Sequence, residues 1–203
     1  METEEKKYRM TDDTIVIDGH KLSRIKALRD FGNVKAGELG GYISCEKNLS
    51  HRGTCWVSDN ALVCARALVM DDALVSGDAL VIDDALVCAR AQVGDFSLVS
   101  GDSIVSGDAL VSDRAKVGDF ALVRARAKVS GEALVSDHVH LCGDVIVRDH
   151  AQLCDYVIVR DRAFVCDYAL VRDWAIVRDF AIVRDHALVG GDVLVGDFEI
   201  VKD

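Results

Sequence analysis

From Cys55 to Asp203 the chain repeats every six residues without an insertion, cycling through variants of A-L-V-x-D-x such as ALVSGD, ALVIDD, AQVGDF and VIVRDR. A six-residue unit cannot bury its own apolar side and must stack on its neighbours, so the repeat predicts a solenoid. In Ala61-Leu62-Val63, strand alternation sends Ala61 and Val63 to one side and Leu62 to the other, and the next three residues turn a corner. Three such sides close a triangle of 18 residues, so residues 55–203 make about eight coils.

Twenty-four units begin at Ala61. All but the one at Glu199 open on Ala, Ser or Val, and every unit has Val or Leu third, which predicts a narrow bore lined by small aliphatic ladders. Proline is absent, as suits strands that cannot lose a ladder donor. The fifth position is Asp or Gly except at Ala65, Ala89 and Ala125, and both residues tolerate the left-handed backbone of a tight corner. These units resemble the hexapeptide repeat of left-handed parallel β-helices, over about three quarters of the chain. The resemblance implies an all-β, left-handed triangular coil; ordinary parallel crossovers run the other way.

Residues 1–54 read as a tail and capping module. Met1 to Thr11 is polar and is expected to fray, whereas Thr14 to Ile17, the Asp18-Gly19 turn signal and a stretch with Leu22, Ile25 and Leu28 predict a β-hairpin. The carriers Ala27-Leu28-Arg29-Asp30-Phe31, Val34-Lys35-Ala36-Gly37, Gly40-Gly41-Tyr42, Asn48-Leu49-Ser50 and Trp56 resemble the amino-terminal module of YdcK-like hexapeptide-repeat proteins. With Phe31, Tyr42 and Trp56 the module is expected to cover the unpaired edge of the first coil. At the other end Glu199 to Asp203 stops in mid-coil, which predicts an open edge suited to stacking on another molecule.

Charge is unevenly placed. Residues 1–54 hold 9 acidic against 10 basic side chains and residues 55–203 hold 25 against 14, so the solenoid is the acidic part and direct binding to nucleic acid or anionic membrane is disfavoured. The seven cysteines show no C-x-x-C spacing, and neither a secretory signal nor a run of 18 apolar residues is present. The expectation is reduced thiols in a cytoplasmic protein.

The second residue of each unit faces outward, and it is mostly Leu or Ile. One face carries Leu68, Leu86, Ile104, Leu122, His140, Ile158, Ile176 and Leu194, and is the only one of the three free of Lys and Gln. An aliphatic ladder of about eight rungs exceeds what monomers usually expose, so this face is the candidate interface of a homo-oligomer, a dimer or trimer. Corner residues stack as well. Phe120, His138, Tyr156 and Trp174 fall on one edge as an aromatic platform, and His150, Tyr168 and His186 on another. Arg148, Arg160, Arg172, Arg178 and Arg184 each precede a corner Asp, relieving like-charge repulsion.

Proteins with this repeat include trimeric acyltransferases, in which an interfacial His acts as general base; the resemblance points to His140, with His138 and His150 behind it. The array offers no extruded loop to hold an acyl donor. A zinc site would need three converging imidazoles, and His138, His140 and His150 meet only across subunits, so neither a metal nor a cofactor is expected. Thr3, Thr11, Thr14 and Thr54 are the only threonines and lie on no repeated face, which disfavours ice binding. An acidic rod imitating DNA is an alternative, although duplex DNA carries about one charge per 1.7 Å, far denser than this array. The leading expectation is a non-enzymatic structural or interaction protein, with the acyltransferase and DNA-mimic readings as alternatives.

Overall fold

The computed structural model describes residues 5–17 and 19–203. Twenty-five two- to four-residue strands, from Trp56–Val57 to Ile200–Val201, recur at six-residue intervals and assemble into three parallel sheets. Each strand pairs with the strand 18 residues on, as Leu62 with Leu80, Leu68 with Leu86 and Leu74 with Gln92. The faces are called I (Leu62 to Leu188), II (Leu68 to Leu194) and III (Trp56 and Leu74 to Ile200).

Alternation puts the first and third residues of each unit in the bore. Ala61, Val63, Val117 and their counterparts up to Val189 are buried, and in the last coil Val195 still is, whereas Val193 and Glu199 are exposed. Leu141 and Leu153 replace Val in the bore, and Ser97 and Ser103 replace Ala. The two serines stay satisfied because their hydroxyls donate to the carbonyls of Gly94 and Ser100 three residues back, both at 2.7 Å. The bore is therefore packed with side chains and closed to solvent up to the last coil, where Val193 is 45% exposed.

The corners account for the remaining backbone groups. A hydrogen bond from the first amide of a unit to the fourth carbonyl of the unit before closes most of the turns, as from Ala61 N to Ser58 O at 3.1 Å. Second, fourth and sixth amides donate to the next coil, as from Leu62 to Ala79, Cys64 to Val81 and Arg66 to Asp83. The fifth residue is left-handed at every unit from Asp59 to Asp197, with φ from 55° to 94°. Even Ala65, Ala89 and Ala125 adopt it, at an expected cost of about 1–2 kcal/mol each.

Asp is favoured at this corner for a further reason. The carboxylate of one corner accepts the amide of the corner residue one coil on, as Asp137 Oδ2 from Asp155 N at 3.1 Å and Asp155 Oδ2 from Asp173 N at 3.1 Å. The amide that the ladders leave over is thus capped by the side chain beneath it. The Arg–Asp neighbours expected from sequence also pair, as Arg148 Nε with Asp149 Oδ2 at 3.4 Å and Arg178 Nε with Asp179 Oδ2 at 3.4 Å.

The predicted hairpin is present as β1 (Tyr8–Ile17) and β2 (His20–Ala27), antiparallel, with β3 (Leu39–Ile43) continuing the sheet onto face I. Of its predicted turn, Asp18 lies outside the described residues and Gly19 has φ +79°. The expected fraying of residues 1–11 is corrected from Lys7 onward: Lys7 and Tyr8 are fully buried and Tyr8 begins β1, while residues 1–4 lie outside the described residues.

The winding begins within the amino-terminal module. Tyr42 pairs in parallel with Leu62 and Leu49 with Val69, so residues 42–57 make one more coil and bring the total to about nine. These first partners are 20 residues apart whereas Trp56 and Leu74 are 18 apart, so the corner around His51 to Thr54 carries two extra residues. Gly41 lets the chain lie on the next coil, since a Cβ there would stand 2.4 Å from the Ala61 carbonyl oxygen.

Donors from the hairpin complete this coil. The Lys7 ammonium donates to Cys55 O at 2.8 Å, lies 3.1 Å from Cys55 Sγ and sits over the Phe31 ring. Burial lowers its pKa, while burial raises that of the Cys55 thiol. The Tyr8 hydroxyl donates to Leu49 O at 2.8 Å. Asn48 bridges to the second coil by donating to Ala67 O at 2.9 Å and Ala65 O at 3.1 Å. Among the described residues no helix is long and apolar enough to cross a membrane.

Candidate functional site

His140 stands outward on face II, in register between Leu122 and Ile158, with its side chain exposed. The other two imidazoles singled out from sequence are engaged elsewhere. His138 is sandwiched between Phe120, at a centroid distance of 4.9 Å, and Tyr156, at 4.8 Å. His150 stacks on Tyr168 at 4.7 Å and places Nδ1 3.3 Å from Glu132. Among the described residues the three histidines form no common metal-ligating group.

The expected aromatic column is continuous. Tyr156 and Trp174 stack at 4.2 Å with ring planes 4° apart, and tilts along the column stay within 9°. The inner rings, His138 and Tyr156, have both faces covered, so the column presents ring edges outward. Sugar recognition needs an open ring face, which limits a platform to the ends, Phe120 and Trp174. A further stack pairs Phe180 with Phe198 at 5.1 Å on the third edge.

The aliphatic ladder of face II is only partly open. Leu86, Leu122, Ile158 and Ile176 are half-buried between their neighbours, and exposure rises to 54% at Leu194 in the last coil. Leu68 and Ile104 are exposed at 37% and 36%. Rung packing thus removes part of each side chain from water and leaves a ribbed strip.

Two clusters that sequence reading missed could offer ligands to a metal: Asp137, Cys154 and Asp155 on one edge, and Asp149, Cys166 and Asp167 on another. Each thiol lies against the following carboxylate, Cys154 Sγ 3.5 Å from Asp155 Oδ2 and Cys166 Sγ 3.3 Å from Asp167 Oδ2. Burial and these carboxylates push the thiols up to about 11 and about 12, so both are protonated donors at neutral pH. The carboxylates meanwhile cap amides of the next coil, which explains the clusters as corner structure.

Also unforeseen are two recesses of similar construction where an edge meets the following face. One is lined by Arg126, Lys128, Asp144, Ile146 and Arg162. The other is lined by Arg114, Lys116, Glu132, Leu134, His150 and Gln152. Their shared signature is Arg-Ala-Lys, at residues 114–116 and again at 126–128.

No protein-family model matches the chain. By sequence it is similar to the "Uncharacterized acetyltransferase YdcK" of Escherichia coli strain K12, at 32% identity over 85 residues. The match covers 37% of this chain and 26% of that relative, so the present chain spans about a quarter of the protein it resembles. What the two share is thus a segment, within a chain that here forms a parallel β-solenoid of about nine coils.

Proposed function

We propose that the protein is a non-enzymatic structural or interaction protein: a rigid acidic solenoid that self-associates through face II. The observation that carries this is the continuous strand register that aligns aliphatic side chains from Leu68 to Leu194 at every rung but His140. Strands with in-register ribs are self-complementary, since a second copy turned by a two-fold axis offers ribs to fill the grooves of the first. Supporting this, His138 and His150 are held in stacks and Cys154 and Cys166 are protonated, which leaves few groups free for catalysis. Sedimentation velocity tests it. The expected result is a dimer or trimer at micromolar concentration that dissociates when Leu122 and Ile158 are both replaced by Glu; a monomer unaffected by those changes overturns it.

Acyl transfer is a second reading, favoured by the printed name of the YdcK relative. His140 would be the general base, with its exposed imidazole brought against a neighbouring subunit on face II. Calorimetry with acetyl-coenzyme A decides between the readings. Saturable binding together with turnover lost in His140→Ala favours transfer, and no binding favours the scaffold.

A further inference from the structure

The acidic array has one stretch in which the sign of the charge is reversed. From Phe120 to Gly131 the chain carries Arg124, Arg126 and Lys128 and no acidic residue. The corners of this edge are also without carboxylates for four successive coils, at Ala89, Gly107, Ala125 and Gly143, whereas Asp occupies the same corner before and after, at Asp71 and Asp161. Lys116 and Lys128 are the array's lysines on outward strand positions, and Lys128 has no ion-pair partner among the described residues.

In the recess of about 420 Å³ lined by Arg126, Lys128, Asp144, Ile146 and Arg162, two guanidinium groups converge on one carboxylate. Arg126 Nε lies 2.5 Å from Asp144 Oδ1 and its Nη2 2.6 Å from Asp144 Oδ2, while Arg162 approaches from the coil beyond, with Nε 3.9 Å from Oδ2. Arg162 is steadied by lying over the Phe180 ring at 5.4 Å. Asp144 thereby orients both forks and leaves Nη donors of each unused. Three cations and one carboxylate line the recess, a net of two positive charges, while the nearby Asp108, Asp161 and Asp179 are paired with Arg90, Arg160 and Arg178. Ile146 supplies an apolar wall.

We propose that this recess binds a small phosphate monoester in its dianionic form, with Arg126, Arg162 and Lys128 as its cationic ligands. Charge matching selects this class. A monoester carries two negative charges once its second proton has gone, with a pKa of about 6, and planar guanidinium forks suit its oxygens. The surrounding acidic surface repels anions elsewhere and makes this recess their one attractive landing point on that edge. The second recess is built alike but nets one positive charge, because Glu132 faces Arg114 and Lys116 while His150 is its third basic group.

Phenyl phosphate and phenyl sulfate, titrated by calorimetry into the full chain at fixed ionic strength and pH 7.5, provide the test. The expected result is saturable binding of phenyl phosphate, at least about tenfold tighter than that of the monoanionic sulfate. Lys128→Gln and Arg162→Gln should each weaken it about tenfold, and Lys116→Gln in the sister recess should change it less than about twofold. All three positions are exposed, so folding is not at stake. Binding should also weaken below about pH 6 as the ligand becomes a monoanion. Absence of saturable phenyl phosphate binding, equal affinity for the sulfate, or equal sensitivity to Lys116→Gln and Lys128→Gln would overturn the proposal. Neither phenyl ester contains an acyl group, so the outcome is separate from the acyl-transfer reading.

Discussion

In the array the fully buried side chains are almost all Ala and Val, whereas the amino-terminal region and first coil bury Lys7, Tyr8, Asn48 and Trp56. The difference follows from position in the stack. In the second coil, the carbonyls of Val69 and Ala73 accept amides of the coil before, from Ser50 at 2.9 Å and Trp56 at 3.0 Å. Their counterparts in the first coil, Leu49 and Cys55, receive the Tyr8 hydroxyl and the Lys7 ammonium instead. Interior coils are interchangeable because each neighbour supplies the same donors. A terminal coil must be finished by individual side chains, and those cannot be drawn from the repeat.

That contrast can be broken from either side. The largest effect is expected from Val117→Asp, which puts an unpaired charge in the dry bore and should cost more than about 4 kcal/mol, seen as loss of the cooperative thermal transition. Lys7→Met keeps the buried stem and removes the donor, so it should cost about 1–3 kcal/mol. Hydrogen exchange should show that loss confined to the first coils, with amides beyond about the third coil unchanged. If protection falls evenly along the rod, Lys7 is holding more than the end.

Within the array, His138→Ala removes two ring contacts and should lower stability by about 1–2 kcal/mol in urea unfolding. Ala125→Gly goes the other way, since a left-handed alanine is replaced by the residue that suits φ of 61°, and should raise stability by up to about 1 kcal/mol. The smallest effect is electrostatic. Hydrogen bonds from Thr54, Arg66, Arg90 and the Asp185 amide hold Asp72, Asp84, Asp108 and Asp167 below the usual carboxylate range. A depressed folded pKa favours folding above the unfolded value, about 3.9. The contribution is lost as pH falls through the lower folded values, so acid unfolding should begin below about pH 4 and move to higher pH in Asp167→Asn.

The period of six made the array legible: it put Val117 in the bore, Leu122 outside and His138 between Phe120 and Tyr156, because one register governs every coil. The corner Asp residues were only half legible. Their left-handed backbone follows from residue type, but the capture of the next coil's amide depends on a distance between coils, as between Asp137 and Asp155. The first coil was hidden because two extra residues near Arg52 break the count, and its lock, Lys7, comes from a polar segment that shows no pattern. The cationic recess was also missed. Arg126 and Lys128 are two apart in sequence, but Asp144 and Arg162 join them only through whole turns of the winding.

One property of the register bears on how such a chain can change over generations. Removing or adding a single unit of six would leave the bore unaltered, since one Ala-Val pair replaces another, yet it would rotate every later outward residue by a third of a turn onto the next face. The packing of the bore would scarcely notice, while a change between Arg126 and His138 would part Arg126 from Asp144 and His138 from Phe120. Only gains and losses in multiples of 18 keep the exterior in phase, so an exterior whose constellations have a use would accept length changes of whole turns and refuse the thirds that the interior permits.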